Sequence, residues 1–211
     1  MAGTETKLKI YQAACELFYN QGYNETTVAQ IIDLAQTNKG SFYHHFDDKP
    51  HLGYNIITEM SGSIDMALRQ IYPAITAIER LFLQEFIIWR LFFSQTGIRR
   101  FMAELYQASY IDLKAEYFDA LLDLSGVDFS NRDLLMLQGV ELSLRCFFTS
   151  YVASIAERLK EDELISFYMH NWLSLYQISS GVIDDCLAKA RQVMSELRVA
   201  NDIFRVEITL K

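Results

Sequence analysis

Proline and glycine are scarce: the 211-residue chain holds 2 prolines and 9 glycines. With so few helix breakers, long uninterrupted helices are the expected solution. Positive charge is also in deficit, with 19 Lys and Arg against 27 Asp and Glu and a net charge of −8. That balance argues against wholesale coating of nucleic acid and against a polybasic membrane anchor. No apolar run approaches the roughly 18 uncharged residues of a membrane span. Residues 86–93, Phe-Ile-Ile-Trp-Arg-Leu-Phe-Phe, come nearest, and Arg90 interrupts them. The N-terminal Met-Ala-Gly-Thr-Glu-Thr-Lys lacks the apolar core of a signal sequence. The cysteines Cys15, Cys146 and Cys186 are odd in number and far apart. They fit neither a zinc site nor a disulfide framework, so a cytoplasmic protein is expected. Gly-x-Ser-x-Gly, His-Glu-x-x-His, P-loop and Gly-x-Gly-x-x-Gly patterns are missing, so the chain is read as a non-enzyme without cofactor or metal.

Apolar residues make up 51% of the chain, enough for a substantial core. A first helix is predicted from about Lys7 to Gln21. Ile10, Ala13, Ala14, Leu17 and Phe18 form its buried stripe, and Gly22 is its C-terminal cap. Thr27 with Gln30 three residues on makes a capping box that opens a second helix. Gln36 and Thr37 form a turn, and Asn38 caps a third helix from Lys39 to about Phe46. Two short helices joined this way read as a helix-turn-helix, whose second member enters the DNA major groove. Asp48 and Pro50 then start a fourth helix, Lys49 to about Ile71. Further helices are expected near 75–95, 98–123, 130–159, 162–180 and 183–199, with Asp162 and Asp184 or Asp185 as N-caps. The segment Phe204–Leu210 alternates apolar and polar residues and reads as a strand, paired across a dimer or lying on the surface.

The stretch from Ile10 to Leu52 resembles the N-terminal module of the TetR family of bacterial transcriptional regulators. The resemblance rests on Ile10, Ala13, Ala14, Leu17, Phe18, Gly22, Tyr23, Thr26, Thr27, Val28, Ile31, Ala35, Gly40, Tyr43, His45, Phe46, Lys49 and Leu52. Three positions depart from it. Gln36 and Thr37 stand where the family usually has Gly-Val, and Ile32 replaces the usual alanine. A non-glycine at a left-handed turn position costs roughly 1 kcal/mol. The resemblance implies an all-α protein, with residues 1–48 as a three-helix DNA-binding domain and residues 49–211 as a larger helical ligand-binding and dimerisation domain. It further implies a homodimeric repressor, without membrane attachment, on a pseudo-palindromic double-stranded operator. A small apolar or aromatic effector would release it by shifting the fourth helix. An alternative is a dimeric DNA-binding regulator controlled by a protein partner without a small effector.

On this reading Thr27 offers its hydroxyl and N–H to a phosphate, Tyr43 donates its phenol to another, and Lys49 reaches the DNA backbone. Asn38, Lys39 and Ser41 meet base edges, with Lys39 suited to guanine and Gln36 to adenine. Phe42 can touch a thymine methyl, Gly40 allows close approach, Thr37 lies in the turn, and a charged His44 beside phosphate would strengthen binding at lower pH. Residues 1–52 carry four lysines against six carboxylates, so affinity rests on neutral donors and bivalency, and salt dependence is shallow. His44, His45, Asp47, Asp48 and His51 crowd together, but the helix break scatters them, and capping by Asp48, bracing by His45 and a DNA-facing His44 account for them better than a metal does. Trp89, Phe93, Tyr106, Tyr110, Arg145, Phe148, Tyr151 and Trp172 are candidates to line an effector cavity. Arg145 serves either a helix-face pair with Glu141 or an anionic head group. Leu164, Tyr168, Leu175, Ile183, Leu187 and Val193, on the last two helices, are the candidate dimer contacts.

Overall fold

The fold is described from a computed structural model covering residues 2–108, 121–123, 125–152 and 160–211. Helix α1 runs Ala2–Gln21, α2 Val28–Leu34, α3 Lys39–His45 and α4 Lys49–Ile71. Then follow α5 (Ala77–Ser94), α6 (Thr96–Ala108), α7 (Asn131–Phe147) with a widened π turn over Phe148–Val152, α8 (Glu161–Ser174) and α9 (Ser180–Glu196). Strands β1 (Leu197–Asp202) and β2 (Arg205–Leu210) close the chain.

Local chemistry accounts for most helix ends. Gly22 stops α1 with φ of +96°. Thr27 and Gln30 close the capping box of α2, and Thr76 with Glu79 and Ser130 with Asp133 do the same for α5 and α7. Asp48 accepts from the His51 N–H at 2.7 Å to open α4. The caps expected at Asp162 and at Asp184 or Asp185 are not used. Helix α8 opens after Lys160 and α9 after Ser179, neither with a side-chain cap bond. Helix α2 ends in a Schellman arrangement: Gln36 N–H donates to Asp33 O at 3.0 Å and Thr37 N–H to Ile32 O at 3.1 Å. Gln36 therefore sits at φ +50°, and Gln177 at the end of α8 repeats the arrangement at φ +57°.

The C-terminal strand finds its partner within the chain. Residues 197–199, expected to continue the last helix, pair antiparallel with β2 in the register Leu197↔Leu210 to Asp202↔Arg205. The two-residue turn places Ile203 at φ +46° and Phe204 at φ +66°. Both values suit Asn-Gly far better than these side chains. Packing holds the turn: the Phe204 ring lies 4.7 Å from Phe101 and 5.7 Å from Tyr19.

Helix α4 buries Leu52, Ile56, Met60, Ile64 and Leu68 along one face. Two glycines allow the N-terminal helices to approach the rest. A Cβ on Gly53 would stand 2.8 Å from Leu105, and one on Gly97 would stand 2.8 Å from the Tyr19 carbonyl. Helix α5 is buried almost throughout, from Leu81 to Trp89, which explains its continuous apolar run. Residues 109–120 and 153–159, part of the helices expected at 98–123 and 130–159, lie outside the described residues.

Candidate nucleic-acid interface

Helix α3 is amphipathic across its width. Phe42 and Phe46 are fully buried, with their ring centroids 6.0 Å apart. Lys39, Gly40, Tyr43 and His44 occupy the opposite face and are exposed. Asn38 stands at its start, its Oδ1 accepting from Ser41 N–H at 2.9 Å. A Cβ on Gly40 would press to 3.2 Å from that same oxygen, so glycine protects the cap. Phe42, read from sequence as a possible base contact, is instead core. Its ring is the wedge that seats α3, and it cannot meet a thymine methyl in this arrangement.

Thr27 N–H donates to Gln30 Oε1 at 2.8 Å, and the Thr27 hydroxyl donates to the same atom at 3.0 Å. Both groups assigned to phosphate therefore serve the capping box. Gln30 N–H donates back to the Thr27 hydroxyl at 3.2 Å, which leaves the Val28 and Ala29 N–H groups without an intrahelical acceptor at the N-terminus of α2. Gln36 is exposed and Thr37 half-buried in the turn between α2 and α3.

Lys49 requires a second correction. Its ammonium donates to the carbonyls of Tyr23 (3.0 Å) and Thr26 (2.9 Å) and sits 4.1 Å from the Tyr23 ring centroid. Burial lowers its pKa, partly offset by the Glu104 carboxylate. It ties the start of α4 to the loop before α2 and is not extended toward DNA. Sequence reasoning missed the other ties on that loop. Glu104 accepts from Asn24 N–H at 2.7 Å, and Arg100 Nη2 donates to the Tyr19 and Asn20 carbonyls at 3.2 and 2.5 Å. Buried Thr26 donates to Gly22 O at 2.7 Å. No local pattern announces contacts spanning eighty residues; only Thr26 was visible, through the resemblance.

Of the remaining lysines near this surface, Lys9 pairs with Glu5 at 2.8 Å and Lys7 lies over the Phe46 ring. Lys39 is the basic side chain on the outer face of α3, 5.8 Å from the Tyr43 ring centroid. The crowded His–Asp segment resolves into local bonds: Asp48 caps α4, and His51 lies 3.2 Å from Asp47. The result is a short helix whose outer face is exposed and carries Lys39, Tyr43 and His44, beside the N-terminus of α2. Such a surface can donate to phosphates and read base edges.

Comparison with known proteins agrees with this geometry. Residues 10–52 match the family described as bacterial regulatory proteins, tetR family. That segment is the N-terminal module of tetR-family regulators. Over 51 residues it is 43% identical to the HTH-type transcriptional regulator QacR of Staphylococcus aureus, covering 24% of this chain and 27% of QacR. It is 34% identical over 65 residues to the HTH-type transcriptional regulator TtgR of Pseudomonas putida, 31% of each chain. The matched stretches thus span less than a third of these relatives. Both relatives are named as transcriptional regulators and not as enzymes. Among solved structures, RolR in complex with resorcinol shares the fold over 89% of this chain and 95% of its own, with a TM-score of 0.59 and 14% identity. The likeness extends the shared helical architecture beyond the segment of residues 10–52.

The other sequence-predicted residues fall differently from expectation. Trp89, Tyr106, Phe148 and Trp172 are buried, and Trp89 lies 4.8 Å from Phe148 and 4.5 Å from Tyr168, ring to ring. Phe93 is half-buried against the same cluster, 6.4 Å from Trp89 and from Phe148. Arg145 is held by two carboxylates: Glu85 takes Nη1 and Nη2 at 3.4 and 3.2 Å, and Glu141 takes Nε at 3.3 Å. The helix-face pair is therefore present, reinforced from α5, and the guanidinium is not offered to an anionic head group. Tyr151 is 56% exposed and stacks on Phe147, ring centroids 5.2 Å apart. Tyr110 lies outside the described residues. Of the expected dimer contacts, Leu164, Tyr168, Ile183 and Leu187 are buried within their own subunit, while Leu175 and Val193 are half-buried. Their apolar spacing identified a packed face, but the packing is internal. Among the described residues no helix is long and apolar enough to cross a membrane.

Proposed function

We propose that this protein is a dimeric, sequence-specific DNA-binding transcriptional regulator, acting as a repressor released by a small effector. The carrying observation is the outer face of α3. Phe42 and Phe46 turn inward, so Lys39, Gly40, Tyr43 and His44 must face out, beside the N-terminus of α2. Gln36, Thr37, Asn38 and Ser41 border that face and complete the base-reading edge. Residues 1–48 form the DNA-binding unit and residues 49–211 the controlling unit. Lys49, Arg100 and Glu104 carry movement of α4 and α6 to the loop before α2.

A second copy is needed to place two α3 helices roughly 34–36 Å apart on a pseudo-palindromic operator. The surface suited to it is the exposed stripe Met136, Val140, Phe147 and Tyr151 on α7 and its π turn, with Phe167 of α8 alongside. These residues recur on one helical face, and their exposure in a single subunit ranges from 46 to 59%.

The test is a mobility shift of DNA taken from upstream of the coding sequence. Wild type should shift it, and Tyr43→Ala should weaken binding about tenfold or more through loss of a charge-assisted phosphate bond. Equal binding by both proteins would remove α3 from the interface. Sedimentation of Phe147→Glu should show a shift toward monomer; an unchanged dimer would place the interface elsewhere.

A further inference from the structure

A second site lies between the C-terminal helices and the hairpin. A hollow of about 430 Å³ opens between α5, the start of α8, the end of α9 and β1. Its floor is apolar, made of Phe86, Met194 and Leu197, all nearly inaccessible. Its rim carries Arg90, Arg191, Arg198 and Lys211 against one carboxylate, Asp162. In a chain of net charge −8, that is a local reversal of sign.

The cations are posed rather than neutralised. Arg191 Nη2 donates to Ser166 Oγ at 2.8 Å and Lys211 Nζ to the Ser195 carbonyl at 2.6 Å, neutral partners that orient the charge and leave it in place. Arg90 meets Glu161 only at 3.7 Å, through Nε, so its terminal nitrogens remain available. Arg198 is exposed and has no ion pair among the described residues. Counting Glu161 with Asp162, the side chains of the rim retain an excess of two positive charges. An apolar floor beneath a cationic rim matches a ligand with an apolar body and an anionic head.

We propose that this hollow binds a small organic anion, a carboxylate or sulfonate head on an apolar body, and that this anion is the effector. The route to DNA is visible in the chain. The hollow's wall is β1, which continues to Asn201 and the hairpin tip. Asn201 Nδ2 donates to Gln95 Oε1 at 2.8 Å, and Tyr19 of α1 donates its phenol to the same oxygen at 3.2 Å. Phe204 wedges between Tyr19 and Phe101. Movement of β1 around a ligand is therefore delivered to the base of the helix-turn-helix. The assignment as effector rests on the regulator reading; binding of the anion does not.

The experiment is a fluorescence titration of the full chain with 8-anilino-1-naphthalenesulfonate, beside its uncharged counterpart N-phenyl-1-naphthylamine. We expect saturable binding of the sulfonate at one site per chain, weakening as salt rises. Arg191→Gln with Arg198→Gln should reduce it about tenfold or more, with the uncharged probe unaffected. Both arginines are exposed, and Arg90→Gln alone gives a second, milder variant. Absent saturation, salt-independent binding, or equal loss for both probes overturns the site. A mobility shift with and without the sulfonate then tests the effector role. Release of DNA by wild type and not by the double variant supports it, and undiminished DNA binding at saturating sulfonate overturns it. A protein that binds the sulfonate but shifts no DNA overturns the regulator reading and leaves the site standing.

Discussion

Replacing Arg145 by methionine should be among the most damaging single changes in the molecule. The guanidinium side chain is 4% exposed, and its partners Glu85 and Glu141 are 3 and 4% exposed. Glu85 receives two of its bonds and Glu141 one, while the Tyr176 hydroxyl donates to Glu141 at 2.8 Å. The guanidinium also faces Trp172 and Tyr168, at 5.2 and 5.7 Å from their ring centroids. Arg145→Met fills the space but strands two buried carboxylates. Breaking a buried pair in this way costs about 3–5 kcal/mol. For a chain of this size, each kcal/mol lowers Tm by about 2–4 °C, so the expected fall is about 6–20 °C. Removing the charges together should be far milder. Glu85→Met and Glu141→Gln, added to Arg145→Met, should bring stability within about 2 kcal/mol of wild type, because no uncompensated charge remains and the amide still accepts from Tyr176. Thermal unfolding at fixed protein concentration reads both values. A single variant within about 1 kcal/mol of wild type, or a triple variant no better than the single, would refute the claim that uncompensated charge is what Arg145 prevents.

Three further outcomes are expected. Gln36→Gly should raise stability by up to about 1 kcal/mol in urea unfolding by relieving the left-handed backbone, yet weaken operator binding if Gln36 reads a base; lowered stability would deny the strain. Cys15, whose pKa burial pushes up to about 12, should react with an alkylating reagent at pH 8 about a thousandfold more slowly in the folded chain than in denaturant, and rapid labelling of the native protein would contradict this. Glu79 is held at about 2, below its usual 4.5, chiefly by its bond from Lys189 and then by the Thr76 N–H. Because the folded value is depressed, this stabilisation is complete above pH 4.5 and drains away as pH falls toward 2. Glu79→Gln should flatten that acid limb of the stability profile, and an unaltered limb would show that the bond contributes nothing.

The N-terminal third was legible because its determinants are local. Capping at Thr27, Asn38 and Asp48 depends on side chains three residues from the N–H groups they satisfy. The stripes of α1 and α2 repeat at the helical period, so the helix-turn-helix could be placed almost to the residue. The all-helical character followed equally from the shortage of proline and glycine. The match to the tetR family falls on the same segment, residues 10–52, that carries the motif.

Which partner each apolar or charged face would meet was another matter. Leu164, Tyr168, Ile183 and Leu187 have the spacing of a buried face whether the mate is another helix of the same subunit or a second subunit, and only the packed structure shows it to be internal. Phe42 and Lys49 sit at positions that could face DNA, and burial of one and two backbone carbonyls around the other decide against it. The strand at 205–210 was evident from its alternation, whereas its partner was hidden, because residues 197–199 read as the end of the preceding helix until the hairpin claims them. Arg145 shows the limit most plainly. Its neighbour Glu141 lies one helical turn away and can be read from the sequence, while Glu85, sixty residues distant, enters only when α5 and α7 close around the same charge. Short-range bonds and periodicity are properties of the chain alone; the pairing of distant faces depends on how all the buried surfaces fit at once.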